Sequence, residues 1–330
     1  MVLRNKKTRS GDDQSVEAVA VESEVIGPAN PKSSADRESV LRLVRKRLKK
    51  FMSFIPAVLR GEEVDAVHDV RVWSRRLQQS LTALSSKSPK KRVRRLRQTL
   101  RGVRRTLGEW RNCDVALDLL ARERRRTRAR TTPDCWKPVA EYAGEKRSRQ
   151  ITLAQRKLRK YDLADFSRRV QKWLDQFEEA KDGEALAALG ASVETGWRQW
   201  HSALARARKT CETDDLHRFR IASKRLRYRI EMLRDLGNKD VRPVIQWLKA
   251  LQEAVGLWHD QQSLRAVTAE ALARPEFLLA ESEAARSLLA ELEKHRLRQS
   301  EAVEKIFHLA ETPPSLEFLV GRALKRRRVT

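Results

Sequence analysis

The chain has 330 residues, with 71 Lys plus Arg against 44 Asp plus Glu, a net charge of +27 and a pI near 10.7. With 40% hydrophobic residues it has material for a folded core and length for two domains, so the excess charge argues for a folded protein whose partner is a polyanion: nucleic acid, an anionic membrane surface or a polymeric phosphate. Cys113, Cys135 and Cys211 show no CxxC spacing, MVLRNKKTRS has no apolar run after it, and no stretch of about 18 apolar residues occurs; disulfide framework, zinc cluster, export and membrane span are all excluded as expectations, and a reduced, cytoplasmic setting follows.

Residues 1–35 mix Ser, Asp, Lys, Gly and Pro without period and are expected to form a disordered leader. From about Asp36 apolar residues step by three and four, the mark of one buried helix face. Leu41, Val44, Leu48, Phe51, Ile55 and Val58 form the first stripe. Val67, Val70, Ser74, Leu77, Leu81 and Leu84 form the second, from Asp65, and Val93, Leu96, Leu100, Val103 and Leu107 the third, from Lys90. A fourth helix is expected from Trp136, after RERRRTRAR (122–130), which reads as a solvated helix end or linker. Breaks fall at Gly61–Asp65, Ser85–Pro89, Thr131–Pro138 and Lys181–Gly183. In the second half, helices are expected from Glu184, Asp214, Lys239 and Pro275, followed by a basic tail at 313–330. Strand signals are absent, so the fold class expected is all-α.

The two halves repeat each other. Adding 149 maps His68 to His217, Arg71 to Arg220, Ser74 to Ser223, Arg75 to Lys224, Arg76 to Arg225 and Leu77 to Leu226. Val44, Leu48, Phe51 and Ile55 map to Val193, Trp197, Trp200 and Leu204 in the same register. Farther on the offset becomes 148, pairing Gly108 with Gly256 and Trp110 with Trp258. Two four-helix bundles, 36–183 and 184–312, related by a pseudo-two-fold axis, are the expected architecture. If the related faces meet, their basic stripes meet with them.

Those stripes carry the candidate site. With Asp65 and Asp214 as N-caps, His68 and His217 fall in the first helical turn, where free N–H groups and the dipole favour an anion. His68, Arg71 and Arg75 then run up one side, and His217, Arg220, Lys224 and Arg227 up the other copy. Arg94, Arg97, Arg101, Arg104 and Arg111 make a further ladder on the third helix. Like charges stacked at these spacings repel, and guanidinium forks suit phosphate oxygens, so the ligand expected is a linear chain of phosphates. Lys49 and Arg198, equivalent under the repeat, are candidates to extend the lining. Arg76 and Arg225 lie nearer the Val72 and Ile221 side, and serve either the site or packing and ion pairs. Trp73, Trp110, Trp197, Trp200, Trp247 and Trp258 read as core, and Ser74 and Ser223 as small residues at helix crossings.

HDVRVWSRRL and HRFRIASKRL, with LGEWRNCDV and VGLWHD, resemble the paired motifs of the CHAD family, the conserved histidine α-helical domain. The resemblance covers about 36–312. It departs at Asn112, which stands where the family usually has Asp. It implies paired four-helix bundles around a basic central channel that binds inorganic polyphosphate, association with polyphosphate granules, and no catalysis.

Enzymatic readings fare poorly in the sequence. ELEKH (291–295) has His295 where a triphosphatase signature needs Lys, and no GxxxxGK[ST] loop, HExxH pair or carboxylate pair within the basic stripes occurs. No cofactor or metal is expected. Nucleic acid is expected to bind only weakly and without sequence preference, because the arginine ladders carry no interleaved aromatics. The terminal KRRRV (325–329) has the composition of a nuclear or nucleolar address, and equally of the basic tails common in polyanion binders. The sequence names no protein partner.

Overall fold

The apolar stepping is realised as helix along nearly the whole chain. The computed structural model describes residues 31–61, 65–85, 90–127, 134–178 and 184–314. In the first half these form α1 (Pro31–Ser53), α2 (Ile55–Arg60), α3 (Ala66–Ala83), α4 (Lys90–Thr106), α5 (Gly108–Thr127), α6 (Lys137–Leu158) and α7 (Leu163–Glu178). The second half contributes α8 (Glu184–Thr210), α9 (Thr213–Asp235), α10 (Arg242–Leu272), α11 (Pro275–Ala280) and α12 (Ser282–Glu311), with a 3-10 turn at Lys239–Val241. Among the described residues there is no strand, and the fold is all-α.

Several boundaries differ from the sequence reading. Helix α1 begins at Pro31, so the last five residues of the expected leader are helical; residues 1–30 lie outside the described residues, as do 128–130 of the RERRRTRAR stretch and KRRRV in the tail. The first stripe breaks at Phe54, because Pro56 in the first turn of α2 has no N–H to continue the ladder. The third and fourth expected helices each divide in two. At Asp162 the reason is visible: its carboxylate accepts the backbone N–H of Asp165 at 2.8 Å, an N-cap that starts α7 afresh.

Three cores hold the helices. The first gathers α1 to α4, the start of α5, the end of α6 and α7, with Phe51 meeting Phe166 edge-on at 6.0 Å between ring centres. The second gathers α8, α9, the first half of α10 and the end of α12, centred on Trp200, whose indole N–H donates to Ser223 Oγ at 3.0 Å. The third belongs to both halves. It joins the second half of α5 and first half of α6 to the second half of α10, α11 and the start of α12, with Trp136 set edge-on to His295 at 5.6 Å. Beside it Arg126 bridges Glu123 (2.6 Å) and Glu291 (2.5 Å), tying α5 to α12.

Helices α3 and α9, the repeated pair, pack against each other. Buried Arg47 of α1 locks one side of this contact. It donates to Ser80 Oγ (3.0 Å) and the Arg76 carbonyl (3.2 Å) on α3, and to Asp235 (3.1 Å) on α9. Removing it leaves Asp235 with Arg234 alone and takes one donor each from Ser80 Oγ and the Arg76 carbonyl. Arg47→Ala is expected to lower unfolding free energy by about 3 kcal/mol, measured by urea denaturation.

Candidate functional site: a basic tract on the repeated helices

The pairs Arg71 with Arg220 and Gln79 with Arg229 place α3 and α9 side by side, running in the same direction. His68 and His217 therefore share one end of a strip, and Gln79 and Arg229 share the other, on the order of 16 Å away along the helices. Between them the cations form a chain of close neighbours. Arg111 repels Arg71, and Arg71 feels Arg75 and Arg220. Lys224 lies among Arg220, Arg75, Arg227 and Arg71. Arg104 joins Arg75 and Arg71 to Arg101 and Arg225, and Arg97 and Arg229 close the strip beside Arg225.

The electrostatic consequence is large. Burial, and then the neighbouring cations, push Lys224 down to about 7. The same causes bring Arg104 down to about 9 and Arg71, Arg220 and Arg229 down to about 10. Guanidinium groups remain charged near neutrality, so these shifts register the cost of burying charge, with repulsion between neighbours added to it. The histidines are held neutral. Burial followed by Arg220 takes His259 to about 3, while burial with Arg111 lowers His68 and burial with Arg220 lowers His217.

Some of each fork is spent on the scaffold. Arg71 donates to the Arg104 carbonyl at 2.6 Å, and Arg104 returns bonds to Ser74 Oγ at 3.3 Å and to Gln78. Ser74 and Ser223 thus act as small, buried hydrogen-bonding residues at the helix crossings, each donating to its own helix as well. Other donors find nothing: Nε of Arg97 and Nε of Arg220 are buried with no acceptor among the described residues.

Not every residue expected here has the same standing. Arg76 and Arg227 face Glu231 at 3.2 and 3.5 Å, so both are ion-paired where the sequence suggested free cations for Arg227. Lys49 and Arg198 are exposed on α1 and α8, and neither is among the charges that dominate the shifts in the tract. The two histidines are also not placed identically. His68 is the third residue of α3, after Asp65, which makes no side-chain capping bond. His217 is the fifth of α9, because that helix starts earlier, at Thr213; Asp214 is inside it, and buried Asp215 fills the first turn with bonds to Thr210 (3.0 Å), Arg206 (2.8 Å) and Arg218 (2.5 Å).

Sequence reasoning missed Arg229, which is 5% exposed and anchored on Gln79 (3.1 Å) and the Ser192 carbonyl (2.6 Å). Its repeat mate is Ser80, so the repeat gave no hint, although the four-residue step from Arg225 did.

The model of the CHAD domain matches residues 42–269, more than half of the chain. The chain belongs to the CHAD domain family. Its fold is similar to the crystal structure of the CHAD domain from the plant Ricinus communis (TM-score 0.62, 18% identity, covering 84% of this chain and 92% of that one). It is equally similar to PptA from Streptomyces chartreusis (TM-score 0.61, 16% identity, 81% of this chain and 99% of that one). No curated protein matches by sequence. Within the CHAD motifs, Asn112 is exposed and donates to Glu109 at 3.1 Å, whereas its repeat mate Asp260 lies half-buried among Arg220, Arg122, Lys224 and Arg111. Burial outweighs these cations and raises the Asp260 carboxyl.

Lys224 gives this CHAD tract a pH signature. Its folded value of about 7 lies below the ordinary lysine value near 10.5, so between these limits the unfolded chain holds more protons than the folded one. Ligand-free stability should therefore rise with pH above about 7, by at most about 1.4 kcal/mol per pH unit. Lys224→Met should flatten that rise in urea titrations run at a series of pH values.

Proposed function

We propose that this CHAD chain binds inorganic polyphosphate along the α3–α4–α9 tract as a non-catalytic binding module. The observation that carries the reading is the crowd of cations whose neighbours are mostly other cations, with buried Nε donors on Arg97 and Arg220 lacking an acceptor among the described residues. A linear polyanion supplies what this crowd lacks: repeated charge-assisted acceptors along a strip, with no need for base-stacking surfaces. The family resemblance selects polyphosphate among such polymers.

In this mechanism Arg71, Arg75, Arg101, Arg104, Arg220 and Lys224 neutralise successive phosphates, with Arg97 and Arg225 continuing the strip and Arg111 at its histidine end. His68 and His217 donate hydrogen bonds near the helix starts. Arg76, paired with Glu231, ties α3 to α9, while Arg227 pairs with the same carboxylate along α9. Association with polyphosphate granules follows from binding and needs no protein partner. Nucleic acid competes weakly, through charge alone.

Calorimetric titration with polyphosphate, and with RNA matched in phosphate, tests this. Arg71→Ala combined with Arg220→Ala should weaken polyphosphate binding about a hundredfold and lower the salt slope by about two. An unchanged slope, or RNA displacing polyphosphate at equal phosphate, contradicts the proposal. Because a bound anion favours the protonated amine, affinity should also fall as pH rises through about 7, and Lys224→Met should remove that dependence.

A further inference from the structure

The two flanks of the α3–α9 contact are equivalent under the repeat but are built in opposite ways. On the closed flank, Arg47 reaches from α1 to Ser80, and the acids Asp235 and Glu231 neutralise Arg47, Arg76 and Arg227. Adding 149 carries Arg47 to Gly196, Ser80 to Arg229 and Arg76 to Arg225, while Glu231 maps back to Thr82. The guanidinium thus comes from the other helix. Arg229 of α9 lies over Gly196 of α8, where a Cβ would fall 2.8 Å from its Nη1, so a side chain at 196 would make the guanidinium shift.

No acid follows it across. Arg229 is held by two neutral acceptors, Gln79 and the Ser192 carbonyl, and threonine replaces glutamate at 82. The result is a cleft of about 370 Å³ into which Arg97, Arg101, Arg225 and Arg229 converge, rimmed by neutral polar residues including Thr82 and Thr195. Among the described residues its lining contains no carboxylate. Positive charge is spread along the tract but encircles this cavity, and the volume suits a compact group better than a length of polymer.

We propose that this cleft is an end pocket that takes the terminal phosphate of a phosphate chain, fixing where the chain starts on the tract. An internal phosphate offers two free oxygens and one charge. A terminal one offers three oxygens and close to two charges at neutral pH, which is what four convergent guanidiniums and neutral hydrogen-bonding side chains reward. The inference rests on the polyphosphate reading and adds to it a directional, end-anchored mode.

The test compares a short polyphosphate of uniform length with the same chain whose two terminal phosphates are blocked as alkyl phosphoramidates, by calorimetry. The wild-type protein should bind the free-ended chain about tenfold more tightly. Thr82→Glu, which restores on this flank the acid found on the other, should bind both forms equally; Thr82→Gln, of the same length but uncharged, should keep the preference. Equal wild-type affinity for both forms overturns the end pocket and leaves polyphosphate binding standing. A preference that survives in Thr82→Glu also overturns it, by placing end recognition elsewhere. Failure of the wild type to bind either form overturns the polyphosphate reading, and the end pocket with it.

Discussion

Everything about this molecule turns on uncompensated positive charge held on the strip where α3, α4 and α9 meet. Burial of these charges and repulsion among Arg71, Arg75, Arg104, Arg220 and Lys224 oppose folding, and together, burial first, they bring a lysine to about 7. Apolar burial has to offset both. The three cores do so from three directions, and the third, built from the far ends of α5, α6, α10 and α12, joins the two halves away from the strip. A fold could remove the repulsion cheaply by placing acids among the arginines, as it does around Glu231 and Asp235. Leaving most of the strip without them gives up stability for the capacity to hold an anion.

The same logic explains the division of labour among arginines that look alike in sequence. Arg47, Arg76 and Arg227 face carboxylates; the first two fasten helices to one another, and Arg227 is paired within α9. Arg71 and Arg104 use part of each fork on the α3–α4 contact, which fixes the rest in place. This preorganisation matters for binding, because less side-chain entropy is lost when a ligand arrives. Arg229 goes furthest, being buried over a glycine and held by neutral acceptors alone.

Helix content, the apolar stripes and most of the tract were legible in the sequence because a 3.6-residue period and an internal repeat are both local patterns. The repeat paired Arg71 with Arg220, and the packing of α3 on α9 brings the two together. What it could not supply were contacts that depend on how α3 lies on α9. Ion pairing of Arg76 with Glu231 needs that crossing, and Arg229 opposite Ser80 breaks the repeat altogether; the Arg227–Glu231 pair, four residues apart on α9, was open to the sequence and was passed over. Periodicity also shows that a helix has a buried face without showing that its two ends face different cores, as those of α5 and α10 do. The histidines illustrate a subtler limit: Asp65 and Asp214 align in sequence, but α9 starts earlier, at Thr213, so His217 lies two residues deeper in its helix than His68 does in α3.

The most direct measurement is the unfolding free energy with and without polyphosphate, at ionic strength matched with sodium chloride. If the strip stores repulsion that a phosphate chain relieves, polyphosphate will stabilise the protein by several kcal/mol at saturating concentrations, well beyond the effect of the matched salt. Equal stability in the two solutions would mean that ordinary screening is all the charge requires, and would contradict a polyphosphate-binding tract.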